Sequence, residues 1–217
     1  MARLSAFNFQ KWIDEHKHLL KPPVGNQLIW RDSQFIIMIL GGPNARRDFH
    51  IDPSDEVMYM IKGEMRLHYR TPEGKEEVTI LSEGSTIFTP AGVPHSPRFP
   101  PDAFVFIIER NRRDGEIDRF QWYCPSCDDL LHEETFLVGD YAVDPVSKAY
   151  QNFFDSEEFR TCEKCGEVMP KPQRASRKHR YAMPAITRRE ARCAVWDQAP
   201  RGWSTCCSTI RRASSPR

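Results

Sequence analysis

The chain has 217 residues, 40% of them hydrophobic, with 11 Gly and 17 Pro: enough to bury one substantial core, and too rich in turn residues for a helical bundle. Its net charge of +1 averages two unlike segments, because residues 171–217 hold 12 of the 31 Lys and Arg but only two of the 30 Asp and Glu. The acidic body that remains argues against the continuous basic surface that nucleic acid requires, and no apolar run is long enough to span a membrane.

The first twenty residues lack the apolar stretch and small-residue cleavage site of a secretory signal, so a cytoplasmic protein is expected. DEHKHLL, after FQKWI, predicts a short opening helix that ends before Pro22 and Pro23. His16 and His18 point different ways on it and have no third partner nearby. From Gln27 the texture turns to short β-rich runs: QLIW, QFIIMILGG, VMYMIKG, MRLHYR, EEVTIL, STIFTP and AFVFIIER. GGPN, KGE, TPEGK, SEG and AGVPHSP separate them as turn material, and RTPEGKEE reads as a hairpin. Strands without intervening helical patterns predict an antiparallel jelly-roll or barrel rather than βαβ units.

Three residues able to bind a metal fall where such strands could converge them: His50 and Glu56 around the start of one strand, and His95 after a Pro-Gly turn. Two imidazoles and a carboxylate on one face suit Fe(II) with positions left open; Mn(II), Ni(II) or Zn(II) could also accept them. Further on, Cys124-Pro-Ser-Cys127 and Cys162-Glu-Lys-Cys165 form two CxxC pairs separated by 34 residues. Four thiolates suit one tetrahedral Zn or Fe ion, and with all positions filled by protein such a site clamps structure rather than catalysing. Cys193, Cys206 and Cys207 lie in the basic tail, whose composition predicts disorder.

The blocks GGPNARRDFHIDPSDEVMYMIKG and GSTIFTPAGVPHSP resemble the paired motifs of the cupin superfamily. In the second, Gly84, Pro90, Gly92 and His95 stand at the family spacing. The first normally carries two histidines separated by one residue; here His50 stands alone and Asp52 takes the second place. Together with FNFQKWIDEHKHLLKPPVGN, WYCPSCDDLLHE and TCEKCGE, the segment from about residue 7 to 170 resembles the 3-hydroxyanthranilate 3,4-dioxygenase family, in its bacterial form.

This resemblance implies an all-β cupin-type double-stranded β-helix, a jelly-roll barrel with a C-terminal four-cysteine metal-binding extension. The implied divisions are a barrel with an N-terminal helical segment over 1–120, the cysteine segment over 121–170 and the basic tail over 171–217. It implies an Fe(II) enzyme that uses O2 to open the ring of 3-hydroxyanthranilate to 2-amino-3-carboxymuconate semialdehyde, the precursor of quinolinate, and a homodimer.

The family's catalytic iron ligands fall on His50, Glu56 and His95, and its substrate-binding arginine on Arg46, whose planar guanidinium can hold a carboxylate through two parallel hydrogen bonds. Glu109, closing an apolar strand, aligns with the family's active-site glutamate, a candidate base for the substrate hydroxyl or an anchor for its amine. Asp48 is expected beside the iron shell, orienting a ligand or Arg46. The second substrate arginine departs from the pattern: HSPRFPP puts Arg98 three residues after His95 instead of four. Arg98 is expected to touch substrate through a changed loop, whereas a one-residue shift along a strand turns it outward. Fe and Zn both remain open for Cys124, Cys127, Cys162 and Cys165. The competing readings are another cupin metalloenzyme acting on a small anionic aromatic, and a non-enzymatic cupin binding or regulatory protein.

Overall fold

The computed structural model describes residues 5–20, 25–30, 33–138 and 145–172. Apart from residues 171 and 172, the basic tail and its three cysteines lie outside the described residues.

The opening helix α1 (Phe9–His16) begins earlier than expected, because FQKWI is part of it. The Asn8 side chain caps the Lys11 N–H. Phe9, Trp12 and Ile13, at helical spacing, turn one face onto Ile39 and Phe104.

All seven expected runs form strands, and four further strands join them. A five-stranded sheet runs in the order β1 (Asn26–Trp30), β2 (Phe35–Gly41), β9 (Phe104–Arg110), β4 (Glu56–Lys62), β7 (Thr86–Thr89). A six-stranded sheet runs β11 (Leu130–Phe136), β10 (Asp118–Tyr123), β3 (Phe49–Ile51), β8 (His95–Arg98), β5 (Glu64–Arg70), β6 (Glu76–Ser82). The hairpin at RTPEGKEE forms as expected, with Arg70 opposite Glu76. Gly63 carries the chain from the first sheet to the second at φ 82, with Ala103 close against it. A Cβ there would sit in a left-handed conformation and press on Ala103.

The expected barrel is not what the chain builds. Both sheets are antiparallel and open, with β1 and β7 at the edges of one and β11 and β6 at the edges of the other, and among the described residues no ladder joins the two. Closure needs continuous edge-to-edge hydrogen bonding at a fixed stagger. Here β1 slips register between Leu28 and Trp30, and β7 has only four residues. The layers are held by side chains instead: Met58, Met60 and Val105 from the first sheet, Met65, Leu67 and Leu81 from the second, all almost fully buried. Inward–outward alternation is the same in a barrel and in two facing sheets, which is why the sequence did not separate them.

Two helices lie beyond β11 among the described residues. α2 (Pro145–Asp155) packs Ala149 and Phe153 onto Phe120 and Trp122 of β10, with Phe153 stacked on Trp122 at 4.2 Å. The short α3 (Glu157–Arg160) follows, capped by Ser156.

Candidate active site and metal centres

His50 on β3 is directly opposite His95 on β8, and their ring centroids are 5.5 Å apart. Glu56, first residue of β4 in the other sheet, is directly opposite Glu109 of β9. The two sheets therefore bring two imidazoles and two carboxylates to one cavity of about 80 Å3, whose wall also includes Arg46 and Asp118. Every one of these groups except His50 and Arg46 is almost completely buried.

The His95 Nδ1–H donates to the Val93 carbonyl at 2.9 Å, which leaves Nε2 with a lone pair in the neutral ring. Nε2 lies 2.9 Å from Glu56 Oε2, yet that oxygen is buried and receives no hydrogen bond. A buried carboxylate oxygen this close to an imidazole nitrogen needs a positive charge beside it, supplied either by a proton on His95 or by a metal ion bound to both. Two neighbouring ligand atoms, each about 2.1 Å from one octahedral ion, are separated by about 3.0 Å, so the pair is already at a spacing a divalent metal can accept. Without the ion, Glu56 and the Val93 carbonyl hold the His95 pKa above its ordinary value even though burial works against the charge.

His50 is committed elsewhere on one side: its Nε2 lies 2.7 Å from Asp118 Oδ2. An imidazole that donates Nε2–H to a carboxylate presents Nδ1 as its lone pair, so His50 can ligate through Nδ1, or through Nε2 after releasing Asp118. His50, Asp52 and Asp118 also cluster closely enough to suggest an ion among themselves. That place is already filled by a cation. The almost buried Arg112 guanidinium bonds Asp118 through Nε and Nη2 at 2.6 Å each and Asp52 through Nη2 at 3.0 Å, with Ser54 Oγ at 3.2 Å from Nη1. The orphaned oxygen of Glu56 is therefore the better mark of the metal position.

Arg112 Nη2 also lies 2.9 Å from Glu109 Oε2, without forming a hydrogen bond. Burial first, then the hydrogen bond to Asp52 and the charges of Glu56 and Asp52, push the Glu109 pKa well up. Asp52 is shifted down despite burial by that same hydrogen bond, by His50 and by Arg112. The two shifts run in opposite directions, so the surroundings favour the protonated form of Glu109 and the charged form of Asp52. Asp52, read from the sequence only as a substitute for a missing histidine, is the charged half of this pair.

Asp48 is fully buried and binds Arg46, with Nε at 3.1 Å from Oδ1 and 3.0 Å from Oδ2, and with Nη2 also bonded to Oδ2. Tyr150 of α2 donates its hydroxyl to Asp48 Oδ1. The Arg46 guanidinium lies 5.1 Å from the ring centre of Phe120 and 5.9 Å from that of Tyr150. Burial disfavours its charge, but Asp48 more than compensates and raises the pKa.

Arg98 is not among the residues around this cavity, although Pro97 is. Its Nε donates to Ser96 Oγ at 3.3 Å and its Nη1 lies 3.6 Å from Glu76 Oε1. The residue one place further on, Phe99, is buried in the core between the sheets. Successive residues of a strand face opposite sides, so the one-residue displacement seen in HSPRFPP carries Arg98 away from the cavity.

The four cysteines meet. Cys124 Sγ lies 3.5 Å from Cys165 Sγ, and Cys127 Sγ 3.5 Å from Cys162 Sγ, with all four sulfurs within 4.8 Å of one another. Sulfurs about 2.3 Å from a central ion stand about 3.8 Å apart at the corners of a tetrahedron, so the cluster has the size of a structural Zn or Fe site. Its halves are alike. In each, the N–H of the residue after the second cysteine bonds back to the carbonyl of the first, and that residue, Asp128 or Gly166, has φ of 60 or 76. Burial opposes ionisation of Cys162, but the backbone N–H groups of Cys165 and Lys164 bring its pKa down to about 7. Cys127 is pushed up to about 12, against the Asp129 N–H, by burial and the neighbouring thiols. Four thiolates can coexist here only around a cation.

Asp118, Arg112 and Tyr150 were missed from the sequence. Arg112 had one available signal, a charge just past the apolar run of β9; nothing in the linear pattern marked Asp118 or Tyr150.

A double sheet of cupin-like topology, with an imidazole and an unsatisfied carboxylate set at metal-ligand spacing between its layers, defines a metal-dependent member of the cupin superfamily. The family model for 3-hydroxyanthranilic acid dioxygenase matches residues 1–154. A 3-hydroxyanthranilate 3,4-dioxygenase of Bacillus cereus is 48% identical over 167 residues, covering 77% of this chain and 93% of its own. Those of Shewanella woodyi and Ruegeria pomeroyi are 46% and 45% identical, each covering 78% of this chain and 89% and 94% of theirs. The chain belongs to the 3-hydroxyanthranilic acid dioxygenase family.

Proposed function

We propose that this chain is an Fe(II)-dependent dioxygenase that uses O2 to open the ring of 3-hydroxyanthranilate, giving 2-amino-3-carboxymuconate semialdehyde, the precursor of quinolinate. The observation that carries the reading is the unsatisfied Glu56 Oε2 facing His95 Nε2 in the same cavity as the Arg46 guanidinium. Family membership supplies the substrate.

His50, Glu56 and His95 would hold the iron, which when bound brings O2 and the electron-rich aminophenol together for reaction. Arg46, in the same wall, takes the substrate carboxylate and sets the angle of the ring. Asp48 holds that guanidinium by its Nε and Nη2 side. Glu109 faces the cavity and favours its protonated form, so it is placed to hydrogen-bond the substrate's ring donors, and it can accept the phenolic proton only once its own has passed to Asp52. Met38, Leu40 and Ile107 give the cavity apolar walls that limit water around the reacting ring.

The four-cysteine cluster would hold Zn or Fe as a structural clamp. Among the described residues no helix is long and apolar enough to cross a membrane, and a cytoplasmic enzyme is proposed. A homodimer is also proposed. It is supported by an apolar row on the outer face of the five-stranded sheet, Trp30, Ile37, Ile108, Val57 and Phe88 side by side, with Trp30, Val57 and Phe88 exposed.

The test is O2 uptake by protein reconstituted anaerobically with Fe(II), with ring opening followed by product absorption. Uptake matched by product, and abolished by His95→Ala or Glu56→Ala, is expected. Full metal loading with no uptake on 3-hydroxyanthranilate would overturn the substrate assignment.

A further inference from the structure

Arg46 and Asp48 are two residues apart on one extended segment, and both are largely buried. Left to themselves, such a pair closes into a neutral unit with little attraction for another anion. A third group prevents this. The Tyr150 hydroxyl, 102 residues away on α2, donates to Asp48 Oδ1 at 2.5 Å, the oxygen that Arg46 Nε approaches at 3.1 Å. The Tyr150 ring and Phe120 also flank the guanidinium. The hydroxyl satisfies part of the carboxylate's charge, so more of the guanidinium's charge is directed at the cavity, and the rings restrict its tilt.

We propose that Tyr150 is a positioning residue for substrate recognition: by bonding Asp48 it fixes Arg46 for the substrate carboxylate and makes α2 part of the recognition apparatus. The same helix contributes Pro145 and Val146 to the cavity wall, and Phe153 anchors it on Trp122. The inference rests on the dioxygenase reading for the identity of the substrate, but its core, carboxylate binding at Arg46, can be measured without turnover.

Tyr150→Phe keeps the ring and removes only the O–H. KM for 3-hydroxyanthranilate is expected to rise about tenfold with kcat changed less than about twofold, as loss of one hydrogen bond to a charged group implies. With 2-aminophenol, which has the same ring donors but no carboxylate, KM should stay within about twofold. A purely structural role would weaken both substrates alike, and that result would overturn the proposal. Calorimetry with anthranilate, which keeps the carboxylate and lacks the hydroxyl, should show about tenfold weaker binding to Tyr150→Phe. Introduced on an Asp48→Asn background, Tyr150→Phe should add no further loss; an additive loss would overturn the proposed route through Asp48. If the unaltered protein binds anthranilate in a Tyr150-dependent way but does not turn over 3-hydroxyanthranilate, the dioxygenase reading fails and the positioning role stands. If it binds no anthranilate, the positioning role fails.

Discussion

His50 Nε2 lies 2.7 Å from Asp118 Oδ2, across 68 residues of sequence, and Asp118 is held in turn by both Nε and Nη2 of Arg112. The orientation of the His50 imidazole, a proposed metal ligand, is thus set by an ion pair at the start of β10. Asp118→Asn keeps an acceptor for His50 but removes the charge and weakens the grip of Arg112. Metal affinity should fall about 10- to 100-fold, the usual effect of losing a carboxylate behind a ligating histidine. Titration with Fe(II) or Zn(II) against a competing chelator measures it; affinity unchanged within about twofold would remove Asp118 from the orienting role.

Glu109 carries its proton to unusually high pH because burial and Asp52 raise its pKa. The sign follows from linkage. With the folded pKa above the unfolded one, stability from this group is fully present below the ordinary carboxylate range and is lost as pH rises toward the folded value. Glu109→Gln, which imitates the neutral form, should flatten that decline in the metal-free protein. Urea midpoints between about pH 5 and pH 8 would show it; an unchanged slope would mean that Glu109 is ionised when folded.

Arg98 bonds Ser96 and faces Glu76, outside the cavity, whereas Arg46 is in its wall. Arg98→Ala should therefore change KM for 3-hydroxyanthranilate less than about threefold. Arg46→Ala, which deletes a charge-assisted contact, should raise it at least about tenfold. Equal effects would show that Arg98 swings in when substrate binds.

The four-cysteine cluster joins the end of β10 to the chain beyond α3, with α2 enclosed between its halves. Keeping the proposed site metal-free with a thiol-competent chelator, or Cys162→Ser, should loosen α2 and raise the hydrogen exchange of its amides, with the β2–β9 ladder unaffected. Substrate affinity should weaken as well, because Tyr150 travels with the helix. Protection of α2 that survives metal loss would show that the Trp122–Phe153 packing suffices.

What could be read from the sequence was local. Short alternating runs located seven strands, RTPEGKEE its hairpin, the CxxC spacing both sulfur knuckles, and the motif around His50, Glu56 and His95 the residues that border the cavity. These signals survive in one dimension because the constraint acts within a few residues: a turn needs its glycine, and a chelating loop needs its cysteines at a fixed step. The one-residue displacement of Arg98 was also visible, and the two-residue period of a strand decides its consequence. Only the tertiary structure decided that the two sheets stay open, since alternation is identical whether or not edge strands pair. It alone revealed Asp118 behind His50, Arg112 among three carboxylates and Tyr150 on Asp48. Each of those contacts is made by strands or a helix brought together by packing, and a buried charge is stabilised by whatever the fold sets beside it, however distant in the chain.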